Sequence, residues 1–169
     1  MLPFFSGIEN RYLESWDTFF GVLVAPGVAA QTGSVRIVNP AGSNVIAVVQ
    51  SVKISKLSAG TLNGNFGRGA GTAVNLGTAA TGMNPDIRGR VNSTSVLSQG
   101  TGVLALPINW ASFTFGVAAA FDLELINNEN QEWILTPGCA YELVNQTVNE
   151  AMHVNWIWRE RFLEDSERA

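Results

Sequence analysis

The chain has 169 residues, a formal net charge of −4, and 14% charged against 46% hydrophobic residues. That length suits one domain with a full core, and the sparse charge leaves a surface of Gly, Ala, Ser, Thr and Asn, better fitted to lasting contact with other subunits than to a highly charged monomer. The negative total disfavours binding driven by nucleic-acid phosphates, and the single cysteine, Cys139, allows no disulfide within the chain.

Residues 1–17 are expected to form an N-terminal arm. Ser6-Gly7-Ile8-Glu9 has the form of a capping box, and Phe5, Ile8, Tyr12, Trp16 and Phe19 recur at helical spacing. This predicts a short amphipathic helix over 7–16, which either covers the open end of a β-sandwich or docks on a neighbouring subunit. The opening residues lack the basic segment and long apolar run of a secretory signal. The apolar stretches Phe19–Ala30 and Phe115–Phe121 are broken by Gly or Pro and are too short to span a bilayer, so no membrane partner is expected.

From residue 18 to 162 the reading is a single β domain. Phe20–Ala25 is a short apolar strand closed by Pro26-Gly27, and Ser34–Asn39 is the next strand, followed by a turn over Pro40–Asn44. Val45–Ser55 alternates with two apolar faces at its start, as expected of a strand buried between layers. Ser58–Gly102 holds ten of the seventeen glycines, at 60, 64, 67, 69, 71, 77, 82, 89, 100 and 102. Glycine weakens strands, so this run is expected to be long loops around one or two strands, with Arg88–Leu97 foremost. Val103–Pro107, Ser112–Val117, Phe121–Ile126 and Gln131–Thr136 read as strands, with turns at Asn127–Asn130 and Pro137-Gly138. Tyr141–Gln146 is expected to pair with Met152–Phe162 across the Thr147–Glu150 turn. Residues 163–169 form a charged tail.

The last of these strands organises the rest. Met152, Val154, Trp156, Trp158, Glu160 and Phe162 share one face, while His153, Asn155, Ile157, Arg159 and Arg161 share the other. Each large aromatic can bury roughly 150–250 Å², so the first face belongs in the core. Eight or so short strands, with turn signals between them and almost no helix, predict an all-β, jelly-roll-like antiparallel sandwich with long Gly-rich loops.

No constellation for catalysis stands out. Gly64–Thr72 lacks the Gly-Lys-Ser/Thr ending of a phosphate loop. His153 is the only histidine and has no ligand partner at metal spacing, so no metal or cofactor is expected. A Cys139–His153 dyad lacks an orienting group, and Asp122 with Glu124 reads as an outward, solvated pair. No Asp or Glu occurs from Thr18 to Pro85, which leaves Arg36, Lys53, Lys56 and Arg68 as the only charges of that stretch. These four, with Phe4, Phe5 and Tyr12 of the arm as anchors, are the expected protein-binding surface. Trp156 and Trp158 are placed in the core or where it meets the subunit interface. Arg159 and Arg161 read either as a solvated strand exit whose stems cover aromatic rings or as an interface rim.

Ile134-Leu135-Thr136-Pro137-Gly138 is followed by Val154-Asn155-Trp156-Ile157-Trp158-Arg159-Glu160-Arg161. In a small, cysteine-poor, low-charge β chain with Gly/Ala/Thr/Asn-rich loops, this resembles the small virion structural proteins of tailed bacteriophages, capsid decoration (cement) proteins among them. The resemblance implies a jelly-roll-like sandwich and a homo-oligomer, commonly a trimer. It also implies a place in the virion, with the major capsid protein or other virion proteins as partners and no catalytic residue. The alternative reading is a receptor- or glycan-binding component of a tail or fibre that uses the Ser58–Gly102 loops.

Overall fold

The computed structural model describes residues 16–56, 60–69, 78–84, 90–102, 108–116, 122–127 and 133–167. These residues form eleven strands: β1 (Asp17–Ala25), β2 (Thr32–Val38), β3 (Val45–Lys56), β4 (Leu62–Arg68), β5 (Thr78–Met83), β6 (Asn92–Gly102), β7 (Ile108–Phe115), β8 (Asp122–Asn127), β9 (Trp133–Leu135), β10 (Ala140–Asn145) and β11 (Met152–Phe162). A 3-10 turn over Asp165–Glu167 is the one helical element among the described residues. The helix expected over 7–16, apart from Trp16, and the strand expected over 103–107 lie outside the described residues.

All pairings are antiparallel, in the order β7-β4-β10-β2-β6-β5-β1-β11-β3-β8, with β9 beside β8 on β3. The sheet curls so that its two ends face each other across one core, as an all-β sandwich. Phe66 of β4 meets Trp156 of β11, Trp133 of β9 and Tyr141 of β10 at ring-centroid distances of 6.4, 6.2 and 6.3 Å. Such tilted and edge-on pairs are the favoured aromatic arrangements.

The strand chosen from sequence as organiser holds that place. β11 lies between β1 and β3, and Met152, Val154, Trp156, Trp158 and Glu160 are buried while the intervening residues are partly exposed. Phe162, expected on the same buried face, is exposed because the strand runs out past the core there. On β3 the register slips between Ile157 and Trp158, leaving Gln50 as an extra residue. Val45, Ala47 and Val49 point inward before this bulge, and Val52 and Ile54 after it. One inserted residue exchanges the faces, so the strict two-face alternation read from sequence fails there.

Two further expectations are corrected. β10 does not pair with β11. It pairs with β2 and β4, while β11 pairs with β1 and β3, and the short Gln146–Ala151 link crosses between the two layers. All six residues of β10 are buried, so its backbone is completed by strands on both sides. The Ser58–Gly102 stretch carries three strands, β4, β5 and β6, with β6 starting at Asn92 and running to Gly102. The glycines make room for side chains from elsewhere. A Cβ at Gly64 would lie 2.2 Å from the Phe113 ring and 2.6 Å from the Val144 carbonyl oxygen, and one at Gly82 would lie 2.2 Å from the Trp158 ring.

Candidate interaction surface

The outer face of the β5-β1-β11-β3 side carries the features that could engage another molecule, and a set of buried polar contacts holds it in shape. Beneath that face, Trp158 lies over Gly82 and Gly21 and packs on Phe19 at 6.0 Å. Its indole Nε1 donates to Glu160 Oε1 at 3.0 Å. Glu160 also accepts the backbone N–H groups of Ser95 at 2.8 Å and Thr94 at 2.9 Å, so this fully buried carboxylate ties β11 to β6. Charge-assisted bonds of this kind are what make such burial tolerable.

Arg90 completes the cluster. Its Nε donates to Asp17 Oδ2 at 2.9 Å and its Nη1 to Thr94 Oγ1 at 3.0 Å, while Nη2 approaches Glu160 Oε2 at 3.3 Å as an ion-pair contact without hydrogen-bond geometry. The guanidinium stacks between Phe19 and Phe162, 5.3 and 5.1 Å from their ring centroids. It thereby fixes the ends of β1 and β11 and the start of β6. Sequence reading placed Arg90 at the start of the expected Arg88–Leu97 strand but gave it no role, because its partners Asp17, Phe19 and Glu160 lie far away in sequence.

On the outward side, Arg159 and Arg161 lie 4.4 and 5.2 Å from the Trp16 ring. The contact with the aromatic ring is made by the guanidinium groups, not by the stems. Arg161 is further held by both carboxylate oxygens of Glu167, at 2.6 Å each. The Arg161 hydrogen bond, then the Glu164 backbone N–H, lower the Glu167 pKa to about 2.

Next to these arginines runs an apolar stripe. Phe20, Val22, Met83, Val91 and Phe162 are 45, 57, 67, 69 and 60% exposed, and they are five of the eight exposed large hydrophobic residues among those described. Of these, Phe20, Val22 and Met83 lie together on the outer face. Phe20 stands opposite both Ile157 and Met83, and Val22 follows on the same side of β1, whereas Phe162 belongs to the Trp158–Glu160 face of β11, where it caps Arg90, and Val91 stands opposite Asn84, one residue beyond Met83. Contiguous exposed apolar area flanked by arginine and aromatic side chains is the composition of interaction sites.

The other expected surface residues divide. Lys53 is exposed, 3.8 Å from Glu124, and Arg68 is exposed. Arg36 is not on the surface. It is buried between strands and bound to Glu142 at 2.6 Å, while Ser34 donates to the same carboxylate at 2.8 Å. Lys56 is buried too, and its Nζ donates to the Gly116 carbonyl at 2.7 Å. Both cations end in the interior because an acceptor meets each of them there. Trp156 and Trp158 are core residues with no exposed area to offer a partner. Phe4, Phe5 and Tyr12 lie outside the described residues.

Cys139 touches Thr136 Oγ1 at 3.3 Å in the turn before β10, whereas His153 lies on β11 between Val24 and Ser55, so neither is seen to serve the other. Glu124 is taken up by Lys53 and Ser51. Among the described residues, no three His, Cys, Asp or Glu side chains gather as metal ligands.

Tyr141 gives a titration that reports on the core. Burial, then the negative charge of Cys139, push its phenol up to about 12 against the opposing pull of Arg68. Its hydroxyl donates to the Ile134 carbonyl. Because the folded value lies above the ordinary 10.0, the neutral phenol stabilises the fold fully below pH 10.0, and that contribution is lost as the pH rises toward about 12. Ultraviolet titration of phenolate should show one tyrosine ionising only near the upper end of that window. Ionisation of both tyrosines with an ordinary midpoint would mean Tyr141 is solvated.

No protein-family model, curated protein or solved structure matches the chain.

Proposed function

We propose that the chain is a non-enzymatic structural protein of a virus particle, of the kind that decorates and reinforces the capsid of tailed bacteriophages, and that it works as a homo-oligomer on the shell. The observation that carries the reading is the exposed apolar patch of Phe20, Val22 and Met83 beside the Trp16–Arg159–Arg161 stack. The low charge fraction and the closing segment that resembles small virion proteins point the same way. A buried core braced by internal ion pairs gives a stiff platform, and the stripe on its outer face supplies affinity for a neighbouring subunit. Rim charges such as Lys53 set register and salt dependence more than strength.

The test is assembly. Sedimentation should give a mass above that of one 18.1 kDa chain, most directly a trimer, and the protein should bind empty shells of its parent particle. Replacing Phe20 and Met83 together by Ser should weaken assembly by about 1–3 kcal/mol, roughly 5- to 150-fold in Kd. Their exposure means the melting temperature should stay close to wild type. A monomer that ignores shells would overturn the reading.

A further inference from the structure

The two ends of the strand order are built differently. At one end stand β8 and β9, both on β3. β8 carries Asp122 and Glu124 in six residues, and β9 is only three residues long. Charges and short length are the devices by which native sheets refuse an additional strand. At the other end stands β7, the last strand beyond β4. Its eight residues, Ile108-Asn109-Trp110-Ala111-Ser112-Phe113-Thr114-Phe115, contain no charge and no proline.

The register of β7 on β4 slips once, between Phe66 and Gly67, which leaves Ala111–Phe115 as an uninterrupted run. Within that run Phe113 and Phe115 are buried, while Ser112 and Thr114 are exposed. Half of the backbone N–H and C=O groups of a strand at the end of a sheet point away from its neighbour, so such a run can receive another strand. Among the described residues no strand lies on that side of Ala111–Thr114.

We infer that β7 pairs antiparallel with β7 of a second copy of this chain, joining two sheets across a two-fold axis. Charge selects the occupant. A strand that meets its own copy must not place like charges opposite each other, because such pairs destabilise a sheet. β7 satisfies that condition with neutral Ser112 and Thr114 at the centre of its run, where cross-strand Ser/Thr pairs are favourable. β8 would set Asp122 and Glu124 against their own copies. The contact is isologous and closes on itself. It lies at a different place from the apolar stripe, so the two contacts together would link oligomers to one another.

The experiment uses charge reversal on the full-length chain. Ser112→Glu with Thr114→Glu should raise the dissociation constant of the two-fold contact by about ten-fold or more, and Ser112→Lys with Thr114→Lys should do the same. An equimolar mixture of the two proteins should restore association as a mixed pair, read by native mass spectrometry. Ser112→Ala with Thr114→Ala removes the Ser112–Asn65 hydrogen bond without adding charge and should leave association intact, so misfolding is told apart from lost pairing. The Phe20 and Met83 serine variant should keep the β7 contact, which separates failure here from failure of the stripe. Unchanged association in both charged variants, or a mixture that does not re-associate, would overturn the inference. The latter result would assign the edge to a different strand, such as β8 of a neighbour.

Discussion

Truncating Trp158 to Ala is expected to lower stability by about 3–5 kcal/mol, the range for a large aromatic lost from a closed core. The ring has no exposed area and fills the space above two residues without side chains, Gly21 and Gly82. Nothing nearby can collapse into the hole, since the flanking strands are fixed by the ladder from β5 through β1 to β11. The indole also supplies one of the hydrogen bonds to buried Glu160, and its loss leaves that carboxylate less well satisfied. Domains of this size are stable by only about 5–15 kcal/mol, so the variant should sit near the edge of folding. Trp156→Ala should cost a similar amount, because its ring meets Phe66 across the core. Chemical denaturation measures both. Losses under about 1 kcal/mol for the pair would mean the halves of the sheet do not close on this strand.

What could be read from the sequence and what could not follow from the range of the interactions. The β11 alternation was legible residue by residue, and Glu160 already fell on the tryptophan face, because period two is a local property. The β10–β11 hairpin was a wrong reading for a related reason. A short turn between two apolar runs looks the same whether the strands pair or cross between layers, and only the distant partners β2 and β4 decide it. Glycines 64 and 82 suggested loops when taken alone, yet each is set by an aromatic far away in sequence, Phe113 or Trp158. The binding surface shows the same split. Arg159 and Arg161 could be singled out beside tryptophans, whereas Arg36 and Lys56 looked like surface charge because their acceptors, Glu142 and Gly116, lie 106 and 60 residues away. Phe20 and Val22 read as ordinary strand residues, and their exposure depends on which strands flank β1.

The pair formed by Arg36 and Glu142 should show the second large effect. Removing the carboxylate with Glu142→Ala is expected to cost about 3–5 kcal/mol, because it strands a buried guanidinium rather than because the ion pair is strongly favourable in itself. The two residues are register partners on β2 and β10, with side chains 6% and 0% exposed and a 2.6 Å contact between them. Ser34 donates to the same carboxylate and would lose its acceptor as well. Taking two charges out of water costs nearly as much as their attraction returns, so removing both is a different experiment from removing one. Arg36→Met combined with Glu142→Leu keeps the volume filled and leaves no unpaired charge. That double variant should be close to wild type, or more stable by 1–4 kcal/mol in the manner of other buried pairs replaced by apolar residues. A double-mutant cycle by urea denaturation, with Arg36→Met alone and Glu142→Leu alone as its single corners, separates the terms. If Glu142→Ala costs less than about 1 kcal/mol, water reaches the guanidinium and β2 and β10 are less deeply covered than their burial indicates. If the double variant loses as much as the single one, the pair is itself a source of stability and not merely a compensated charge.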